Sequence, residues 1–134
     1  MTRVIVVAEE NCVPREPDVV KALVSHGHQV MVERDVCRVK CALASGELHG
    51  AVLVVDKHTV SGKGGLAAYK AFMHAYGSAK AKGPLGIIMV TPMSRPGCSL
   101  AGWGDLVDAY IFMPPDPEVV ATYVDRILLS CDDL

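Results

Sequence analysis

Five short apolar runs, each rich in β-branched residues, constrain this chain more than any other feature. They are Arg3–Ala8, His28–Glu33, Gly50–Asp56, Leu85–Thr91 and Asp108–Met113. Near-continuous apolar runs, as opposed to strict alternation, suit parallel strands covered on both faces. The intervening segments carry helical spacing. Val19, Val20, Leu23 and Val24 form a stripe between Pro17 and Gly27, with proline at the start and glycine past the end. A short second helix is expected around Arg38–Leu48, and a third over Leu66–Lys82, which Gly83-Pro84 closes. Val119, Val120, Tyr123, Val124, Ile127 and Leu128 predict a last helix from Pro117 onward. Cys98–Val107, with its two glycines, predicts a short or irregular helix. The order β-α, repeated five times with right-handed crossovers, gives a doubly wound α/β fold. It is a five-stranded parallel sheet in a three-layer (βα)5 sandwich.

A chain of 134 residues suits one domain, here 1–134, and no attached effector domain is expected. Apolar residues make up 51% of the chain but aromatics only 5%, so the core is expected from Val, Leu, Ile and Ala. A formal charge of −2 gives no electrostatic reason for a nucleic-acid or anionic-membrane partner. The longest apolar runs, such as Ala51–Val55, are too short to span a bilayer. Residues 1–8 read as a first strand, not a secretory leader, because Glu9-Glu10 follows where a small-residue cleavage site would be needed. The five cysteines (Cys12, Cys37, Cys41, Cys98 and Cys131) form no Cys-x-x-Cys pair, so reduced thiols in a cytoplasmic protein are expected. Cys37 and Cys41 share the spacing of one helix face, where ordinary packing or surface roles are the expectation.

Ligands of doubly wound sheets sit beyond the carboxyl ends of the strands. The residues there are Ala8, Glu9 and Glu10 after the first strand, Asp56 after the third, Thr91 after the fourth, and Met113-Pro114 after the fifth. Glu9, Glu10 and Asp56 are candidate oxygen ligands for Mg²⁺. An aspartate beside such a cation can accept a phosphoryl group, and a nearby threonine hydroxyl can bond a phosphoryl oxygen and couple the event to a loop shift.

Taken together these segments resemble the receiver domains of two-component response regulators, a flavodoxin-like architecture, over essentially the whole chain. Residues Arg3–Glu10 look like the family's first strand and acidic pair, and Gly27-His28-Gln29-Val30 like the turn into the second strand. Val52–Asp56 is similar to the strand ending in the phospho-accepting aspartate, with Gly64 near the loop glycine. Ile87–Thr91 is similar to the strand ending in the switch hydroxyl, and Asp108–Pro114 to the family's Asp-x-Tyr-x-x-Lys-Pro segment. The resemblance implies a non-enzymatic signalling domain. Asp56 would be the phosphoacceptor, Thr91 the switch hydroxyl and Mg²⁺ the cofactor. The partner would be a sensor kinase or downstream target protein, and self-association into a homodimer is among the assemblies it allows.

The departures narrow this picture. Ala8 stands where the family has its first acid, Glu9 replaces the usual aspartate, and Met113 occupies the lysine position. A thioether cannot pair with a phosphoryl group. The loop after Asp56 lacks the usual Met-Pro, and Lys57 and Lys63 are the nearby cations available in place of the lysine. A chain that keeps the acceptor and the hydroxyl but lacks one acid and the lysine resembles a pseudo-receiver. It would act through protein–protein contacts, with weak phosphorylation at Asp56 in a phosphorelay as one further use. Trp103 and Tyr110 are candidate partner-surface residues, and Met113-Pro114 stands where the family's bond is usually cis.

The alternative is a cofactor-binding, flavodoxin-like domain. Asp56-Lys57-His58-Thr59-Val60-Ser61-Gly62 resembles the Asp-x-His-x-x-Gly signature of cobalamin-binding domains. Its glycine is one position late, however, and the motif follows the third strand, not the first. Ser61–Gly65 is glycine-rich enough to raise a flavin or nucleotide reading, but it lacks phosphate-loop spacing.

Overall fold

The computed structural model describes residues 3–91 and 106–132. Five parallel strands, β1 (Arg3–Val7), β2 (Gln29–Glu33), β3 (Val52–Asp56), β4 (Gly86–Thr91) and β5 (Ala109–Phe112), form one sheet in the order β2-β1-β3-β4-β5. Each lies within its predicted run, shorter by one or two residues. The helices are α1 (Glu16–Ser25), α2 (Val36–Ser45), α3 (Lys57–Ser61), α4 (Gly65–Lys82) and α5 (Pro117–Asp132), with a 3₁₀ turn at Gly62–Gly64. The expected irregular helix over Cys98–Val107 lies almost wholly outside the described residues.

The two-residue period of a strand sorts the core into two halves. Ile5, Val7, Leu53, Val55, Ile87 and Met89 pack with α2, α3 and α4, where Phe72, Met73 and Tyr76 are fully buried. Val4, Val6, Val52, Val54, Ile88 and Val90 face the other way, onto Val19 and Leu23 of α1 and Val120 and Val124 of α5. β1, β3 and β4 are therefore buried on both faces, as a near-continuous apolar run requires. β2 differs. It is an edge strand whose Met31 and Val32 are exposed, so its apolar run does not report two-sided burial.

The short α3 is absent from the sequence-based expectation. Asp56 ends β3 in extended geometry (φ −76°, ψ 117°), and its carboxylate accepts the Thr59 amide, which caps a five-residue helix. Gly62 and Gly65, with φ of +47° and +59°, then redirect the chain into α4. These glycines serve a backbone turn between two helices.

α1 closes as a Schellman motif. The Gly27 amide (φ +89°) donates to Val24 O at 2.9 Å and the His28 amide to Leu23 O at 3.1 Å. That turn delivers two histidines to α5. His26 Nδ1 lies 2.7 Å from Asp125 Oδ2 and His26 Nε2 lies 3.0 Å from Glu118 Oε2, while His28 Nε2 lies 2.7 Å from Asp125 Oδ1. Both ring nitrogens of His26 face carboxylate oxygens, so the doubly protonated imidazolium is the form that matches. The bonds to Asp125 and then Glu118 hold His26 above the usual histidine range. Burial pushes Asp125 up, but its bonds from His26 and His28 outweigh this and hold it below the usual carboxylate range.

A raised histidine contributes stability that is complete below its unfolded value and is lost as pH rises through the folded one. A lowered aspartate contributes stability that is lost as pH falls through its folded value. Urea unfolding is therefore expected to show the wild type losing stability, relative to His26→Gln, as pH rises above the ordinary histidine value of about 6.5. Parallel curves for the two proteins would mean that His26 does not engage Asp125 and Glu118 as described.

Candidate functional site

In this strand order the topological switch falls between β1 and β3, where the outgoing connections turn to opposite faces. Glu9 follows β1 and Asp56 ends β3, so both flank the crevice. Asp56 is 1% exposed. Its Oδ2 accepts the Thr59 hydroxyl at 2.6 Å and the Thr59 amide at 3.2 Å. The Thr59 hydroxyl oxygen in turn accepts the Glu9 amide at 2.9 Å. A relay thus runs from the β1 loop through Thr59 to Asp56, every donor matched to an acceptor. Asp56 Oδ1 is buried with no hydrogen-bond partner among the described residues.

The surroundings of the carboxylate are tight. Asp56 lines a cavity of about 10 Å³ with Val6, Val54, Val90, Val19 and Glu16. That is room for about one water molecule. At the end of β1, Arg34 forks onto Glu16 (2.9 and 3.0 Å) and donates to Ala8 O at 2.9 Å. The position where the resemblance expects an acid is thus tied down through its backbone carbonyl. Cys12 sits beside the relay, its thiol 3.9 Å from Glu9 Oε2. Burial, with the charges of Asp56 and Glu9, pushes that thiol above the usual cysteine range.

Glu9 and Glu10 are both exposed, whereas Asp56 is buried and engaged by Thr59. Among the described residues no three His, Cys, Asp or Glu side chains stand so as to hold one metal ion.

The other sequence candidates fall as follows. Thr91 is buried at the end of β4, one residue beyond Val90, which is Asp56's partner in the β3–β4 register. Its carbonyl accepts the Met113 amide at 3.0 Å. Met113 packs, partly buried, on the α1–α5 half of the core, and the Met113-Pro114 bond is cis. Lys57 Nζ lies 5.4 Å from the centroid of the Tyr69 ring, and Lys63 is exposed in the 3₁₀ turn. Among the described residues neither lysine forms an ion pair with Asp56. His58 is exposed on α3.

Tyr110 is half-buried against the α4 side of the core, and burial raises its hydroxyl above the usual tyrosine range. Burial, with Tyr110 nearby, pushes Tyr69 up to about 12. Trp103 lies outside the described residues. Cys37 and Cys41 are exposed, unbridged thiols on α2.

Thr59 and Cys12 are site residues that sequence reasoning passed over. The signal for Thr59 was slight: an aspartate ending a strand can cap a helix start, and Thr59 stands three residues on, where such a cap bond falls. Cys12 gave no comparable signal, because only the folded loop brings it to Asp56.

No family model matches the sequence, and no curated protein does. Solved structures do match, over nearly the whole chain. One is a CheY-like response regulator receiver domain protein from Methanospirillum hungatei, at 16% identity and TM-score 0.72, covering 99% of this chain and 98% of that one. Another is the receiver domain of the TMAO respiratory system response regulator TorR, at 14% identity and TM-score 0.71, covering 98% and 100%. A third is the chemotaxis response regulator CheY4 of Vibrio cholerae, at 19% identity and TM-score 0.68, covering 96% and 99%. The chain has the receiver fold, the five-stranded flavodoxin-like (βα)5 sandwich.

Among the described residues no helix is long and apolar enough to cross a membrane.

Proposed function

We propose that this chain is a receiver-fold signalling module, cytoplasmic, that works by docking a protein partner. In its resting state Asp56 serves as a helix cap, not as an active phosphoacceptor. One observation carries the reading: Asp56 is 1% exposed and its Oδ2 is occupied by both the hydroxyl and the amide of Thr59. Met113, held in an apolar cluster at the lysine position, supports it, since its thioether carries no charge to neutralise a phosphoryl group. The partner is a sensor kinase or a downstream target, and phosphorylation of Asp56 is at most a slow modification. The module does no chemistry of its own.

The test is incubation with Mg²⁺ and acetyl phosphate, followed by intact-mass measurement of wild type and Asp56→Asn. Spectra of the two proteins that stay alike, without a phosphoryl adduct, are expected. Substantial wild-type occupancy that Asp56→Asn abolishes would sink the proposal and make this a working phospho-receiver.

A further inference from the structure

We infer that Thr59 is an internal lock on Asp56, and that removing its hydroxyl frees the carboxylate to accept a phosphoryl group. The inference rests on the closed-site reading above and names the residue that does the closing. Oδ2 has its accepting capacity taken by two donors from Thr59. Oδ1 is buried, and the small cavity that Asp56 lines is walled by Val6, Val54 and Val90 and has no room for a phosphoryl group. Neither oxygen is presented to a phosphodonor. The lock is itself fastened, because the Thr59 hydroxyl oxygen accepts the Glu9 amide. To swing Asp56 outward, the chain must break the bond to Oδ2 and let the β1 loop lose its anchor.

With the lock open, the step is a direct transfer from an acyl phosphate. An anionic Asp56 oxygen attacks phosphorus and a new O–P bond forms as the bond from phosphorus to the acyl oxygen breaks. The acyl carboxylate leaves with that electron pair, and no proton has to be removed from the aspartate.

Thr59→Val keeps the shape and the backbone cap but removes the hydroxyl; Thr59→Ser keeps the hydroxyl. Loss of one charge-assisted hydrogen bond changes an equilibrium by about tenfold or more. The full-length wild type, Thr59→Val, Thr59→Ser and Thr59→Val/Asp56→Asn proteins are incubated with acetyl phosphate and Mg²⁺, and phosphoryl occupancy is read by intact mass. The lock requires Thr59→Val to exceed wild type and Thr59→Ser by about tenfold, with the gain abolished in the double variant. If wild type and Thr59→Val both stay blank, the lock is wrong while the closed-site reading stands. If both are heavily and equally modified, lock and closed site fall together.

Amide exchange gives a check that needs no phosphodonor. The Glu9 amide is expected to be protected in wild type and exposed in Thr59→Val. Unprotected exchange at Glu9 in wild type overturns the lock.

Discussion

Phe72→Ala is expected to cost about 3–5 kcal/mol of folding stability. Phe72 is fully buried on α4, within the cluster that also holds Leu53, Val55, Ile87 and Met89 from two adjoining strands. Truncation removes the transfer free energy of the ring and leaves a void that a sheet on one side and a helix on the other cannot collapse to fill. A domain of this size has only about 5–15 kcal/mol in hand, so the variant is expected to melt roughly 10–20 °C lower. Leu129→Ala is the control. Leu129 is 65% exposed on α5, and its loss is expected to stay within about 0.5 kcal/mol. Denaturant unfolding with unchanged slopes reads both values. A Phe72→Ala loss below about 1 kcal/mol would mean that α4 does not pack as described.

Asp56→Ala is the second large effect, at about 1–3 kcal/mol. Two losses add. α3 forfeits its N-cap, and the buried Thr59 hydroxyl is left without an acceptor. Relief of a buried carboxylate whose Oδ1 has no partner among the described residues offsets part of this. Asp56→Asn retains a cap oxygen and is expected to lose less. The pair Asp56→Ala and Thr59→Val supplies the decisive comparison. Once Asp56 is gone, removing the stranded hydroxyl costs little, so the double variant should lose less than the sum of the singles by about 0.5–3 kcal/mol. Strict additivity would show that the two side chains do not share the bond described.

Much of the fold was legible along the chain because its determinants are local and periodic. The runs ending at Val7, Asp56 and Thr91 are apolar at nearly every position, which only a strand covered on both faces can use. Gly27 past the end of α1 and Pro117 at the start of α5 are one-residue signals with a steric cause. Where reading failed, the reason was equally physical. β2 carries a strand-like run yet lies at the edge, since position in a sheet is set by which strands pair and not by a strand's own composition. α3 was missed because five residues give no helical period, so only the cap bond from Asp56 marks it.

What the sequence determined by itself was the alternation of strands and helices and the placing of Glu9, Asp56, Thr91 and Met113 at strand ends. Each follows from residue type and short-range spacing. What only the tertiary structure decided was the state of Asp56. Glu9 and Thr59 stand fifty residues apart, and the bond between them exists because β1 and β3 are neighbours in the sheet. A hydrogen bond across such a separation has no local signature, since its donor and acceptor meet only after the strands have paired. The same carboxylate that reads as an acceptor in the chain is, in the fold, a buried cap held by a threonine.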